Sequence, residues 1–88
     1  MVPKRLKAAR ERAGLTQTKL GILAGIDSSG RARMSQYEKG THSPTFQTVC
    51  AIAKVLDVPE AYFYTLDDNF AEAMLYLHDA FRLAKQPN

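Results

Sequence analysis

Residues 31–40 read RARMSQYEKG. Met34 and Tyr37 stand three apart, a spacing that places two side chains on one face of a helix. Arg31, Arg33, Ser35, Gln36 and Lys39 fall around them on the remaining faces. Two apolar anchors behind polar groups make either an ordinary solvated helix or a surface built to read another molecule. The surrounding sequence separates the two.

Helical spacing continues in both directions. Upstream, Thr16 looks like an N-cap for QTKLGILA at 17–24, with Leu20, Leu23 and Ala24 on one face and Gly25 at its end. Before it, Pro3 suits the first turn of a helix whose face is Leu6, Ala9, Arg10 and Ala13, stopped by Gly14. The DSSG at 27–30 is turn and cap chemistry. Downstream, Ser43 and Pro44 are expected to cap and open a helix with Phe46, Val49, Cys50, Ala53 and Leu56 on its apolar face. Pro59 then opens a fifth, PEAYFYTL. In FAEAMLYLHDAFRLA at 70–84, Phe70, Ala73, Met74, Leu77 and Phe81 form one stripe. Sustained apolar/polar alternation and Asn-Gly or Asp-Gly hairpins are missing from the sequence. The expected fold is all-α: five or six short helices around one core.

Composition bounds what such a bundle can be. Eighty-eight residues with 45% hydrophobic and 24% charged content make one small globular domain, not a disordered tail. The longest nearly unbroken apolar run, LGILAGI at 20–26, is too short to span a membrane. The N-terminal MVPKRLKAAR has charge but no apolar stretch after it, so no secretory signal is expected. A single cysteine, Cys50, excludes an internal disulfide framework and fits a reducing compartment; a cytoplasmic protein is the expectation.

Charge is unevenly spread. Residues 1–40 hold nine Lys/Arg against three Asp/Glu, a balance of +6, while residues 41–88 hold three against six, a balance of −3. A basic half suggests a polyanionic partner more than the net charge of +3 does.

Catalytic and metal constellations are thin. His42 and His78 are distant in sequence and no Cys-x-x-Cys exists, so no metal site is expected. No glycine-rich phosphate loop matches the known spacings. Cys50 lies in an apolar stripe, the setting of a small core residue and not of an activated thiolate. Asp67 and Asp68 at a helix start serve the helix dipole. We expect no enzyme, no cofactor and no small-molecule ligand.

From Leu6 to Leu66 the chain resembles the phage Cro/repressor-type (XRE family) helix-turn-helix domains. The pieces are LKAARERAGLTQTKLGILAGI at 6–26 and MSQYEKGTHSPTFQTVCAIAKVLDVP at 34–59. They keep the family's order: R-x-x-x-G-L-T-Q-x-x-L, a Gly-Ile turn, S-x-Y-E-x-G, a proline, and an apolar helix ending in L-x-V-P.

The resemblance implies a compact five-helix, lambda-repressor-like domain over 1–66, with 67–88 added as a C-terminal amphipathic helix. It implies a third helix in the major groove of double-stranded DNA, with Ser29, Arg31, Arg33, Ser35 and Gln36 as base readers. Arginine can pair with guanine and glutamine with adenine through two hydrogen bonds each. The phosphate set carried over is Thr16, Gln17, Thr18 and Lys19 at the start of helix two, and Lys39, Thr41, His42 and Ser43 after helix three. Arg10 and Glu38 match a structural ion pair joining helices one and three.

Two features depart from the family. Between Gly25 and Glu38 there are three extra residues, so either the turn is longer, with Ser28 or Ser29 as N-cap, or helix three starts a turn earlier. Gly21 replaces the usual alanine, implying close approach of another helix.

The stripe beyond residue 67 must be buried somewhere. It packs back on the domain or faces its copy, and we expect a homodimer with Phe70, Met74, Leu77 and Phe81 at the interface. The expected function is a sequence-specific transcriptional regulator, a repressor on a palindromic operator. The alternative is a protein-binding module, an antitoxin or adaptor that keeps the fold. An RNA binder would need an aromatic stacking platform, and Tyr37 falls on the core side.

Overall fold

The computed structural model describes residues 1–26 and 31–85. Its helices are α1 (Pro3–Arg12), α2 (Gln17–Leu23), α3 (Arg31–Lys39), α4 (Phe46–Leu56) and α5 (Asp68–Lys85), with a 3₁₀ helix at Glu60–Tyr64 between the last two. No strand occurs among the described residues. None of these helices is long and apolar enough to cross a membrane.

Local chemistry explains the ends. Pro3 opens α1, where its missing N–H is no loss, and the Val2 N–H donates to the Phe63 carbonyl at 2.6 Å, tying the chain start to the 3₁₀ helix. The Thr16 hydroxyl accepts from the Lys19 N–H at 3.0 Å and caps α2. The cap of α4 is Thr45, whose hydroxyl accepts from the Thr48 N–H at 3.2 Å, and not the expected Ser43. Pro44 stands buried before that cap, and Phe46, the first helical residue, is exposed. Asp57 ends α4 in the left-handed region, at φ 56°.

One helix-sized core holds the pieces together. Leu6 and Ala9 of α1, Leu20 of α2, Met34 and Tyr37 of α3, Val49, Ile52, Ala53 and Leu56 of α4, Val58, Tyr62, Phe63, and Ala71 and Leu75 of α5 are all buried. Each Leu- or Phe-sized side chain in such a core contributes about 1.5–3 kcal/mol. The fifth expected helix proves to be 3₁₀. The Tyr62 N–H donates to Pro59 and the Thr65 N–H to Tyr62, both spanning three residues. Its Tyr62 and Phe63 both turn inward, ring edge to ring face at 5.5 Å. Leu23 and Ala13, expected on apolar faces, are exposed, and Cys50 is half-buried.

α5 differs most from expectation. Its buried face is Ala71 and Leu75, while Phe70, Tyr76, Leu77, Phe81 and Leu83 are 59–72% exposed and Met74 is half-buried. The charged residues turn the other way. Asp68 pairs with Lys4 and Arg5 of α1, Asp79 with Arg12, and Arg82 and His78 with Asp57 at the end of α4. The helix thus buries a narrow strip, Ala71 and Leu75, flanked by ion pairs, and leaves its larger apolar side chains to water, unlike an ordinary surface helix.

Candidate nucleic-acid interface

The geometry of α3 follows from its two anchors. Met34 is fully buried and Tyr37 is buried beside it. At 100° per residue, Ala32, Ser35, Gln36 and Lys39 then ride the opposite ridge, with Arg31 and Arg33 on its two flanks. Ala32, Arg31, Arg33 and Lys39 are exposed, and Ser35 and Gln36 are half-buried. Ser29, the remaining expected base reader, lies with Asp27, Ser28 and Gly30 outside the described residues. So does the choice between a longer turn and an earlier start of the helix. Gly21 is buried within α2, and that helix packs most extensively on α3.

Arg10 holds α3 against α1. Its Nε donates to Glu38 Oε2 at 2.6 Å and its Nη2 to Oε1 at 3.0 Å. Nη1 donates to the Leu15 carbonyl at 2.9 Å, fixing the turn that leads into α2. The hydrogen bond with Glu38 raises the Arg10 pKa above its ordinary value, against a smaller opposing effect of burial. Gln17 joins the pair, its Nε2 donating to Glu38 Oε1 at 3.2 Å. One carboxylate therefore ties together α1, the start of α2 and the end of α3.

Around this pair lies an open recess of about 470 Å³, lined by Arg10, Thr16, Gln17, Thr18 and Arg31. The structure so gathers three of the four residues expected at the start of α2. It sets Arg31 with them, away from the outward ridge. Lys19, the fourth, is exposed in the same first turn and outside the recess lining. The side-chain amide nitrogen of Gln17 is engaged with Glu38, and the Lys19 N–H with the Thr16 hydroxyl.

The second expected phosphate segment follows α3. Gly40 takes φ +79°, reversing the chain. The Gln36 carbonyl then accepts from the Thr41 N–H at 3.1 Å, the His42 N–H at 3.4 Å and the Thr41 hydroxyl at 3.2 Å. Lys39, Thr41, His42 and Ser43 all stand exposed. Gln36 on the ridge of α3 thus also anchors this loop.

Sequence reasoning passed over Arg5, which is 6% exposed. It read as one more surface cation in a basic run, and no spacing marks it otherwise. Among the described residues no group of three or more His, Cys, Asp or Glu converges where a metal could sit. Every buried side-chain nitrogen and oxygen among them has a hydrogen-bond partner.

Residues 4–62 match the family described as the helix-turn-helix domain. The whole chain is similar to the crystal structure of the transcriptional regulator BswR. The two share 43% sequence identity, with 99% of this chain and 95% of that one covered and a TM-score of 0.85. No curated protein sequence matches the chain.

Proposed function

This chain belongs to the helix-turn-helix domain family, and from that premise we propose that it regulates transcription by sequence-specific binding to double-stranded DNA. In this reading it represses by occupying a palindromic operator as a homodimer. The observation that carries the proposal is the outward ridge of α3, polar and accessible, pinned from behind by Met34 and Tyr37. The similarity to a transcriptional regulator over nearly the whole chain supports it.

Ser35 and Gln36 would read base edges, with Ala32 available for a thymine methyl. Arg31 and Arg33 flank them, each long enough for a base or a phosphate. Thr16, Gln17, Thr18 and Lys19 would hold one phosphate run, and Lys39, Thr41, His42 and Ser43 another. Arg10 and Glu38 would keep both runs in register with the reading helix.

The pairing surface would be the outward face of α5, including Phe70, Met74, Leu77 and Phe81. With large side chains near 200 Å² each, Phe70, Leu77 and Phe81, which share one side of α5 and are 59–62% exposed, present roughly 360 Å². A stable interface needs about 800 Å² per partner, so these three supply a little under half of one. A second copy carries the same uncharged surface, as a two-fold contact requires. The division into a reading domain over 1–66 and a pairing helix over 67–88 belongs to the same proposal. α5 also packs on the domain through Ala71 and Leu75.

The exposed α5 face favours a second reading, a protein-binding module that keeps the fold. Selection of bound sequences from a random duplex pool separates the two. Enrichment of a palindromic consensus supports the regulator. No enrichment supports the module and overturns the proposal. On the selected site, Gln36→Ala should lose discrimination at one base position, by about 1–3 kcal/mol. Lys39→Ala should weaken every sequence alike and lower the salt slope by about one.

A further inference from the structure

Arg5 is a buried cation that DNA binding does not use. Its guanidinium is fully engaged. Nε donates to the Thr65 carbonyl at 2.9 Å, Nη2 to the Leu66 carbonyl at 3.0 Å, and Nη1 meets Asp68 Oδ1 at 2.8 Å. The Tyr62 ring lies 5.8 Å from its central carbon. All four partners sit at one corner, where the 3₁₀ helix ends and α5 begins.

A planar fork with every arm bonded fixes direction as well as position. The cations of the other ion pairs on α5, Arg12 and Arg82, are 48% and 47% exposed against 8% for Arg5, and exposed side chains hold geometry weakly. Five residues further along α1, Arg10 grips Glu38 of α3. α1 is thus a strut, with the outward apolar helix keyed at one end and the reading helix at the other.

We propose that Arg5 is a positioning residue that sets the angle at which α5 leaves the domain, and through it the half-site spacing that two paired reading helices accept. The proposal rests on the two-fold pairing through α5 put forward above. One base pair of spacing is about 3.4 Å of rise and about 35° of turn, so a small loosening at this corner broadens the spacings the dimer tolerates.

The test uses the full chain as wild type, Arg5→Lys and Asp68→Asn, titrated on duplexes whose selected half-sites are separated by spacers varied one base pair at a time. Arg5→Lys keeps the charge and loses the fork. Asp68→Asn removes one anchor at an exposed side chain and keeps the variant set folded if the first does not fold. The wild type should prefer one spacing. The variants should lose on the order of tenfold of that preference, with affinity for a single half-site and dimer sedimentation unchanged. Folded variants that retain the wild-type spacing profile overturn the role of Arg5, as do variants that lose half-site and spaced binding in parallel. A wild type that sediments as a monomer overturns the pairing itself, and the proposal with it.

Discussion

Arg10 and Glu38 face each other across the contact of α1 with α3 in a two-pronged ion pair whose side chains are only 13% and 5% exposed. Removing the carboxylate alone strands a mostly buried guanidinium at the wall of the recess. Glu38→Ala should therefore destabilise the protein by about 3 kcal/mol, far more than loss of an exposed pair. At roughly 4–8 °C per kcal/mol for a domain of this size, the thermal midpoint should drop by well over 10 °C. The double variant Arg10→Met with Glu38→Leu should recover much of that loss, since no charge is left unpaired. Thermal melts of the three proteins decide it. A Glu38→Ala midpoint within a few degrees of wild type would show the pair to be idle.

Gly40 and Gly14 both take positive φ, at 79° and 71°, but their surroundings differ. A Cβ at Gly40 would meet Pro3 Cγ at 3.2 Å, whereas one at Gly14 would meet nothing within 4 Å. Gly14→Ala should cost about 1 kcal/mol from the backbone alone. Gly40→Ala should cost more, because Pro3 is held in the first turn of α1 and cannot move freely. Urea denaturation of both variants measures the order, and the reverse order would refute the close approach of the loop to α1.

The sequence makes α3 legible because its anchors are large and correctly spaced, and a helix with Met34 and Tyr37 behind leaves one way for Ser35 and Gln36 to point. The turn glycines were legible for a similar reason, since a positive φ excludes most other residues. α5 was legible as a striped helix but not as to which stripe faces in. Phe70, Met74, Leu77 and Phe81 are the larger set, yet the smaller Ala71 lets α5 approach the domain, with Leu75 filling the gap. Periodicity counts apolar positions and does not weigh closeness of approach. Arg5 was illegible because its partners are mostly backbone carbonyls some sixty residues away, which no local pattern encodes. Likewise, Ser43 and Thr45 are both good caps flanking Pro44, and only the packing of that proline decides between them.

Acid should weaken the corner at Asp68 in a definite direction. Hydrogen bonds from Lys4 and then Arg5 hold its carboxyl below the usual carboxylate range. A carboxylate so depressed contributes stability above its unfolded value near pH 4, and the contribution is lost as pH falls through the lower folded value. Asp68→Asn lacks that contribution at every pH. The gap between wild type and Asp68→Asn in urea midpoint should be widest at neutral pH and close toward pH 2. A gap that stays constant across that range would mean that something other than the charge of Asp68 is responsible.

A charge placed on the outward face of α5 should separate pairing from folding. Leu77 and Phe81 are each 59% exposed in the single chain, so Leu77→Lys or Phe81→Glu removes little that the monomer buries. Thermal stability of the isolated domain should change by only a few tenths of a kcal/mol. In a two-fold contact the same charge would meet hydrocarbon, and near its axis a like charge as well, so association should fail. Sedimentation should then shift from dimer to monomer, and affinity for a full palindrome should fall by about 10²-fold or more, because the second half-site no longer arrives tethered. Binding to a single half-site should hold, since α3 and its loop are untouched. Variants that still sediment as dimers would exclude this face from the contact, and α5 would then need another explanation for turning its hydrocarbon outward.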